Sequence, residues 1–157
     1  MYSQNQIDQF SSYCFEGKAD RVRDLLEQGM DPNTKDSGGI TPLIAAIKGG
    51  KPEVVACLIS YEVDINQGDW TALHELFDLA IDGMIQSKQT RIAPVLLQIL
   101  PLLIENGGDL NKQNQNGCTP LESLTNYSAT EQAFNHLMEL FRPVISDIDL
   151  RISWDKS

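Results

Sequence analysis

"DSGGITPLIAAIKGGKPEVVACLISYEVDIN", residues 36–66, decides how the chain is read. Thr41 stands before a short apolar run, and its hydroxyl can accept an orphan backbone N–H at a helix start. Pro42 follows, with its φ already set for a first helical turn and no N–H to leave unpaired. The run ends at Gly49-Gly50. Pro52 then opens a second run, apolar at 54, 55, 58 and 59, which is one helical face. The flanks, DPNTKDSGG before and DINQGD after, are rich in turn formers. The stretch predicts helix, loop, helix, turn.

That pattern recurs. Asp31-Pro32-Asn33 and Asp64-Ile65-Asn66 lie 33 residues apart, as do Gly17 and Gly50, Val22 and Val55, and Leu26 and Ile59. Asp109-Leu110-Asn111 follows 45 residues after Asp64. Thr41-Pro42-Leu43, Thr71-Ala72-Leu73 and Thr119-Pro120-Leu121 form a second series. The step from Asp to Thr is 10 residues in the outer two copies and 7 in the middle one. The step from Thr to the next Asp is 23, then 38. The middle copy has therefore lost three residues before Thr71 and gained fifteen after it. A fixed period of this length marks stacked supersecondary units, each too small to bury its own apolar face.

The gain has a helical pattern. Positions 73, 76, 77, 80, 81, 84 and 85 are apolar, and so are 95, 96, 99, 100, 103 and 104. Both sets keep the spacing of a helical stripe. We expect both helices of this unit to be longer by about two turns, roughly 10 Å each. QSKQT, residues 86–90, is expected at the tip. Pro94 fits a helix start, and Pro101 should kink the second helix or remove one of its hydrogen bonds. The extensions either pack on each other or offer apolar surface to a partner. The C-terminal ISDIDLRISWDKS is a third candidate cover.

These residues resemble the ankyrin repeat in period and in its T-P-L-H-x-A signature, over roughly residues 5–142. Unit two departs at Ile44, where the family has histidine. His74 supplies that histidine in unit three, where Ala72 replaces the proline. Unit one has no threonine, and Asp8 is expected to cap its first helix. The resemblance implies an all-α solenoid of stacked helix–turn–helix units with degenerate terminal caps. It forms one domain over 1–157, with units at about 5–35, 36–68, 69–113 and 114–145 and a tail at 146–157.

The totals narrow the function. The chain has 157 residues, 41% of them hydrophobic, a formal net charge of −10 and a pI near 4.5. An acidic surface repels phosphate backbones and anionic membranes and favours basic partners. The longest apolar run, residues 92–104, is too short to span a bilayer and contains Gln98 and two prolines. No targeting segment is visible at the polar N-terminus, so a cytoplasmic protein is expected. Cys14, Cys57 and Cys118 are odd in number and form no C-x-x-C pair, which fits reduced core thiols.

Motifs for chemistry are missing from the sequence. His74 and His136 are 62 residues apart. Neither glycine pair has P-loop order, and neither G-x-S-x-G nor a paired-histidine motif occurs. No catalytic, cofactor-binding or metal-binding residue is assigned. Asn33, Asn66 and Asn111 read as turn chemistry; in ankyrin proteins of animals such asparagines can be hydroxylated.

What remains is surface. The resemblance implies that the projecting turns and first helices grip another protein. Mapped here, the partner-binding candidates are Lys35, Ser37, Ile40 and Lys48 in unit two. Unit three adds Asp69, Trp70, Glu75, Asp78 and Asp82, and the last unit Gln113, Gln115, Asn126 and Tyr127. Glu75, Asp78 and Asp82 share one helix face, as a strip for a basic protein or simply as a solvated face. Trp70 is either a binding hot spot or a cover for the shortened turn that packs on Ile40. The reading is a non-catalytic interaction module, monomeric when free: an acidic binder or inhibitor of a basic protein, such as an immunity protein that neutralises a toxin. A scaffold or regulatory subunit docking through the long helices is the alternative. A carboxylate-based hydrolase is a more distant one.

Overall fold

The computed structural model describes residues 1–87 and 93–122, with Glu139 and Arg142; for residues 84–87 and 121 only the backbone is described. Six α-helices follow in order: α1 (Gln4–Glu16), α2 (Ala19–Glu27), α3 (Pro42–Lys48), α4 (Pro52–Ser60), α5 (Ala72–Ser87) and α6 (Pro94–Glu105). A 3-10 turn, Pro120–Glu122, comes next. No strand occurs among the described residues. Each unit is an antiparallel pair, and the pairs stack into two rows. α1, α3 and α5 pack side by side as one row, called the inner row below, and α2, α4 and α6 as the other, the outer row. Asn126, Tyr127, His136 and the tail 146–157 lie outside the described residues.

The helix starts follow from the threonines. Thr41 Oγ1 accepts the Ile44 N–H at 3.3 Å, with Pro42 in the first turn. Thr71 Oγ1 accepts the His74 N–H at 3.4 Å. Thr119 forms a reciprocal box: its Oγ1 accepts from Glu122 N–H at 3.3 Å, and its own N–H donates to Glu122 Oε2 at 3.0 Å.

Unit one begins differently from the expectation. Asp8 does not cap α1. The helix starts four residues before it, capped by Ser3, whose Oγ accepts the Gln6 N–H at 3.2 Å while Gln6 Oε1 accepts the Ser3 N–H at 2.7 Å. That reciprocal box satisfies two orphan donors and displaces the start by more than a turn.

The outer helices end alike. Gly29, Glu62 and Gly107 occupy equivalent positions, and all three have φ in the left-handed region, at 102°, 62° and 95°. The bond that closes each end also repeats: Met30 N–H to Leu25 O at 2.9 Å, Val63 N–H to Leu58 O at 3.3 Å, and Gly108 N–H to Leu103 O at 2.7 Å. This is the Schellman geometry, and glycine is its unstrained occupant.

Apolar faces of all six helices merge into one core. Phe10, Val22, Ile47, Leu58, Leu73, Phe77, Ile99 and Leu103 are completely or almost completely buried within it. Each such side chain contributes roughly 1.5–3 kcal/mol relative to exposure. Cys14 and Cys57 belong to the same core, and burial pushes the Cys14 thiol up to about 12. A thiol held protonated in this way packs as a small hydrophobe. The stack is close where unit one meets unit two. A Cβ on Gly49 would stand 2.0 Å from the Phe15 carbonyl oxygen.

The fifteen inserted residues are shared unequally, a correction to the equal lengthening expected. α5 has 16 residues against 7 in α3, whereas α6 has 12 against 9 in α4. Residues 88–92, with the rest of the expected tip, lie outside the described residues. Gln86 and Ser87 belong to α5 and not to the tip. Pro101 sits inside α6, which continues past it; the ring leaves the Leu97 carbonyl without its usual helical donor.

Candidate protein-binding face

Two of the turns between units are each built around one side chain. Asp36 Oδ1 accepts the N–H groups of Gly38 and Ile40, both at 2.9 Å, and the Asp36 N–H donates to Ile40 O at 3.0 Å. Asn114 repeats this with Asn116 N–H at 2.9 Å and Cys118 N–H at 3.0 Å. These are the projecting turns of units two and four, made rigid by an acceptor that replaces water along the loop.

α1 holds the first of these turns in place. Asp8 Oδ1 accepts the Ser37 N–H at 2.8 Å and Asp8 Oδ2 accepts the Ser37 hydroxyl at 2.5 Å. Ser11 Oγ donates to Asp36 Oδ2 at 2.7 Å. The Ser37 hydroxyl, then a Gln4 amide and the Ser37 N–H, hold the Asp8 carboxyl below its ordinary range. Asp8 thus stands where the capping threonine of other units stands, but it serves the neighbouring turn.

In unit three the three-residue deletion removes that turn, and residues 68–70 form only a bend. Trp70 takes the place held by Ile40 and Cys118. Its Nε1–H donates to Glu75 Oε2 at 2.6 Å, and its ring lies 5.2 Å from the His74 ring, tilted by 35°. Glu75 also faces Lys48 Nζ at 3.8 Å. Trp70 remains 40% exposed although its polar edge is fixed.

His74 supports this arrangement from beneath. Its Nε2 faces the Cys118 carbonyl at 3.0 Å, and a carbonyl can only accept, so the hydrogen is assigned to Nε2. Nδ1 is then free to accept from the Thr71 N–H at 3.2 Å and the Thr71 hydroxyl at 2.8 Å. One buried ring thereby braces its own helix start and ties unit three to unit four.

A second set of side chains joins the units along the turns. Asn33 Oδ1 accepts the Asp64 N–H at 2.7 Å, and Asn66 Oδ1 accepts the Asp109 N–H at 2.7 Å. Asn66 Nδ2 also donates to Gly107 O at 2.9 Å. Gln67 and Lys112, again equivalent, donate to the carbonyls of Asn33 and Asn66. The asparagines lie in turns, as their spacing implies, while their partners in the next unit are not visible from spacing alone.

The candidate residues divide by what they touch. Lys35, Lys48, Asp69, Gln113 and Gln115 are exposed. Ser37 is exposed but tied to Asp8, and Ile40 is half-buried. Glu75 departs from the solvated strip: it is 8% exposed and bound to Trp70. Asp78 and Asp82 are half-buried on the same helix. Phe15, 51% exposed on α1, was not among the candidates. It lies one period before Lys48, which was the available signal.

A family profile described as "Ankyrin repeats (3 copies)" matches residues 11–78, from within α1 into α5. The chain is an ankyrin-repeat protein. Its ankyrin units align with SH3 and multiple ankyrin repeat domains protein 1 of Homo sapiens at 32% identity over 125 residues, covering 77% of this chain. An ankyrin repeat protein of Rickettsia bellii is 30% identical over 118 residues, or 73% of this chain. The chain spans 5% of the length of the first relative and 33% of the second. Ankyrin repeats are protein–protein interaction modules.

Proposed function

We propose that this ankyrin stack is a non-catalytic binder whose inner row, centred on Trp70, grips a basic protein and blocks it, as an immunity protein neutralising a toxin would. The observation that carries this reading is the state of Trp70. Its indole N–H is satisfied by Glu75 and its ring is backed by His74, yet 40% of it faces solvent. A large aromatic held rigid in this way loses little entropy on binding and has the profile of a hot spot. Exposed Asp69 lies beside it, and the net charge of −10 favours a cationic partner and speeds encounter. We place such a protein in the cytoplasm, monomeric until bound.

The test is capture from the native host followed by titration calorimetry on the captured partner. Trp70→Ala should weaken binding by roughly thirtyfold or more, the scale of a hot spot above 2 kcal/mol. Asp69→Lys should slow association and flatten its salt dependence. A partner that is not basic, or unchanged affinity in both variants, removes the reading. One observation favours docking through the long helix in a larger assembly: α5 runs nine residues beyond the length of α3. Deleting residues 82–95 should then abolish assembly while leaving Trp70-dependent binding intact.

A further inference from the structure

We propose that a hollow between α1 and the turn of unit two seats one apolar side chain of the partner, with a basic residue next to it in the partner's sequence. The proposal rests on the inner row being the binding face. Phe15 and Ile40 give the hollow its apolar surface, and Ser11, Ser12, Glu16 and Asp36 also line it, around a volume of about 250 Å³. Phe15 is 51% exposed there, more than Trp70. Sites for drug-sized ligands run from roughly 300 to 1,000 Å³, so this hollow suits a single side chain.

Polarity selects the residue beside that anchor. The Ser11 hydroxyl and Asp36 carboxylate already satisfy each other at 2.7 Å, so the apolar surface asks nothing polar of a guest. The lining includes two carboxylates, Glu16 and Asp36, and no cation. Glu16 is paired with Lys18 at 2.9 Å, but both side chains are about half exposed, 47% and 55%. Surface pairs of that kind are weak and exchange readily. A partner cation beside the apolar anchor takes the place of Lys18, whereas an acidic neighbour meets like charge. Phe15 precedes Lys48 by one period, which puts it on the same row as Lys48, in the unit before it.

The probe is a synthetic peptide with a leucine followed by an arginine in a glycine–serine background. It is titrated into the full, nitrogen-15-labelled chain and followed by amide shifts. Shifts at Ser12, Phe15 and Ile40 should saturate together. Replacing the leucine by serine, or the arginine by glutamate, should each weaken binding tenfold or more. Phe15→Ser should abolish the shifts at Ser12 and Ile40, and Phe15→Leu should retain them, which separates a lost anchor from a lost fold. Absence of shifts at millimolar peptide, or equal binding of the glutamate peptide, overturns the proposal. A natural partner weakened by Trp70→Ala but not by Phe15→Ser leaves the binding face standing and removes the hollow.

Discussion

The Asn66 side chain accepts the Asp109 N–H at 2.7 Å across the junction between units two and three. The same amide donates to Gly107 O at 2.9 Å. Asn33 makes the first of these bonds, to the Asp64 N–H, at the preceding junction. A net protein hydrogen bond contributes about 1 kcal/mol. Asn66→Ala should therefore cost about 2 kcal/mol in urea unfolding, and Asn33→Ala about 1 kcal/mol. Equal losses would mean that the Gly107 bond adds nothing.

Glu62 is the one described non-glycine residue with positive φ, at 62°. Its equivalents, Gly29 and Gly107, adopt that conformation without a Cβ penalty. The left-handed region costs a residue with a Cβ roughly 1–2 kcal/mol. Glu62→Gly should raise stability by about 1 kcal/mol, after the greater freedom of glycine in the unfolded chain is counted. Gly107→Ala should lower it by a similar amount. Thermal melts of the two variants, moving in opposite directions, check the argument.

Gly49 presents a steric case. An added methyl group would meet the Phe15 carbonyl oxygen at 2.0 Å, and a backbone atom has no rotamer by which to withdraw. Gly49→Ala should force α1 and α3 apart and cost about 3 kcal/mol. A variant within 0.5 kcal/mol of the parent, on the scale of ordinary surface changes, would show that the stack yields easily at this contact.

Asp8 sets a pH dependence. Its carboxyl is held low by the Ser37 hydroxyl, the Gln4 amide and the Ser37 N–H, so the folded state binds its proton less readily than the unfolded chain. The resulting stabilisation is present above the ordinary carboxylate range and is lost as pH falls through the lowered value. Asp8→Asn should melt below the parent at neutral pH, and the gap should close in acid. A gap that stays constant on acidification would exclude the carboxylate as its source.

Much of the fold was legible because the stack reuses the same physical solutions. Thr41 and Thr71 cap helices as their spacing implied, and positions 54, 55 and 58 are buried as one face. The places where the reading failed share a cause. Asp8 matched a threonine in register, but register does not reveal that Ser3 supplies a better box a turn earlier. Glu75 fell on the right helix face, yet periodicity gives direction and not depth. Its burial comes from Trp70 and Lys48, which fold over it from other segments. The partition of the insertion was hidden because apolar spacing alone does not mark where α5 stops. Phe15 was passed over because an apolar residue on an amphipathic helix is ordinarily assigned to the core.

The asparagine links carry an implication for how such a chain can vary. Each runs from the turn that closes one unit to the first amide of the corresponding turn in the next, so the two described joints share this fitting. Extra length taken up between the two ends of a unit, as α5 takes it, leaves both fittings in register. A single residue added at Asp64-Ile65-Asn66 itself would misalign two joints at once. The architecture therefore accepts growth by bulging outward within a layer or by adding whole layers, and resists it at the seams.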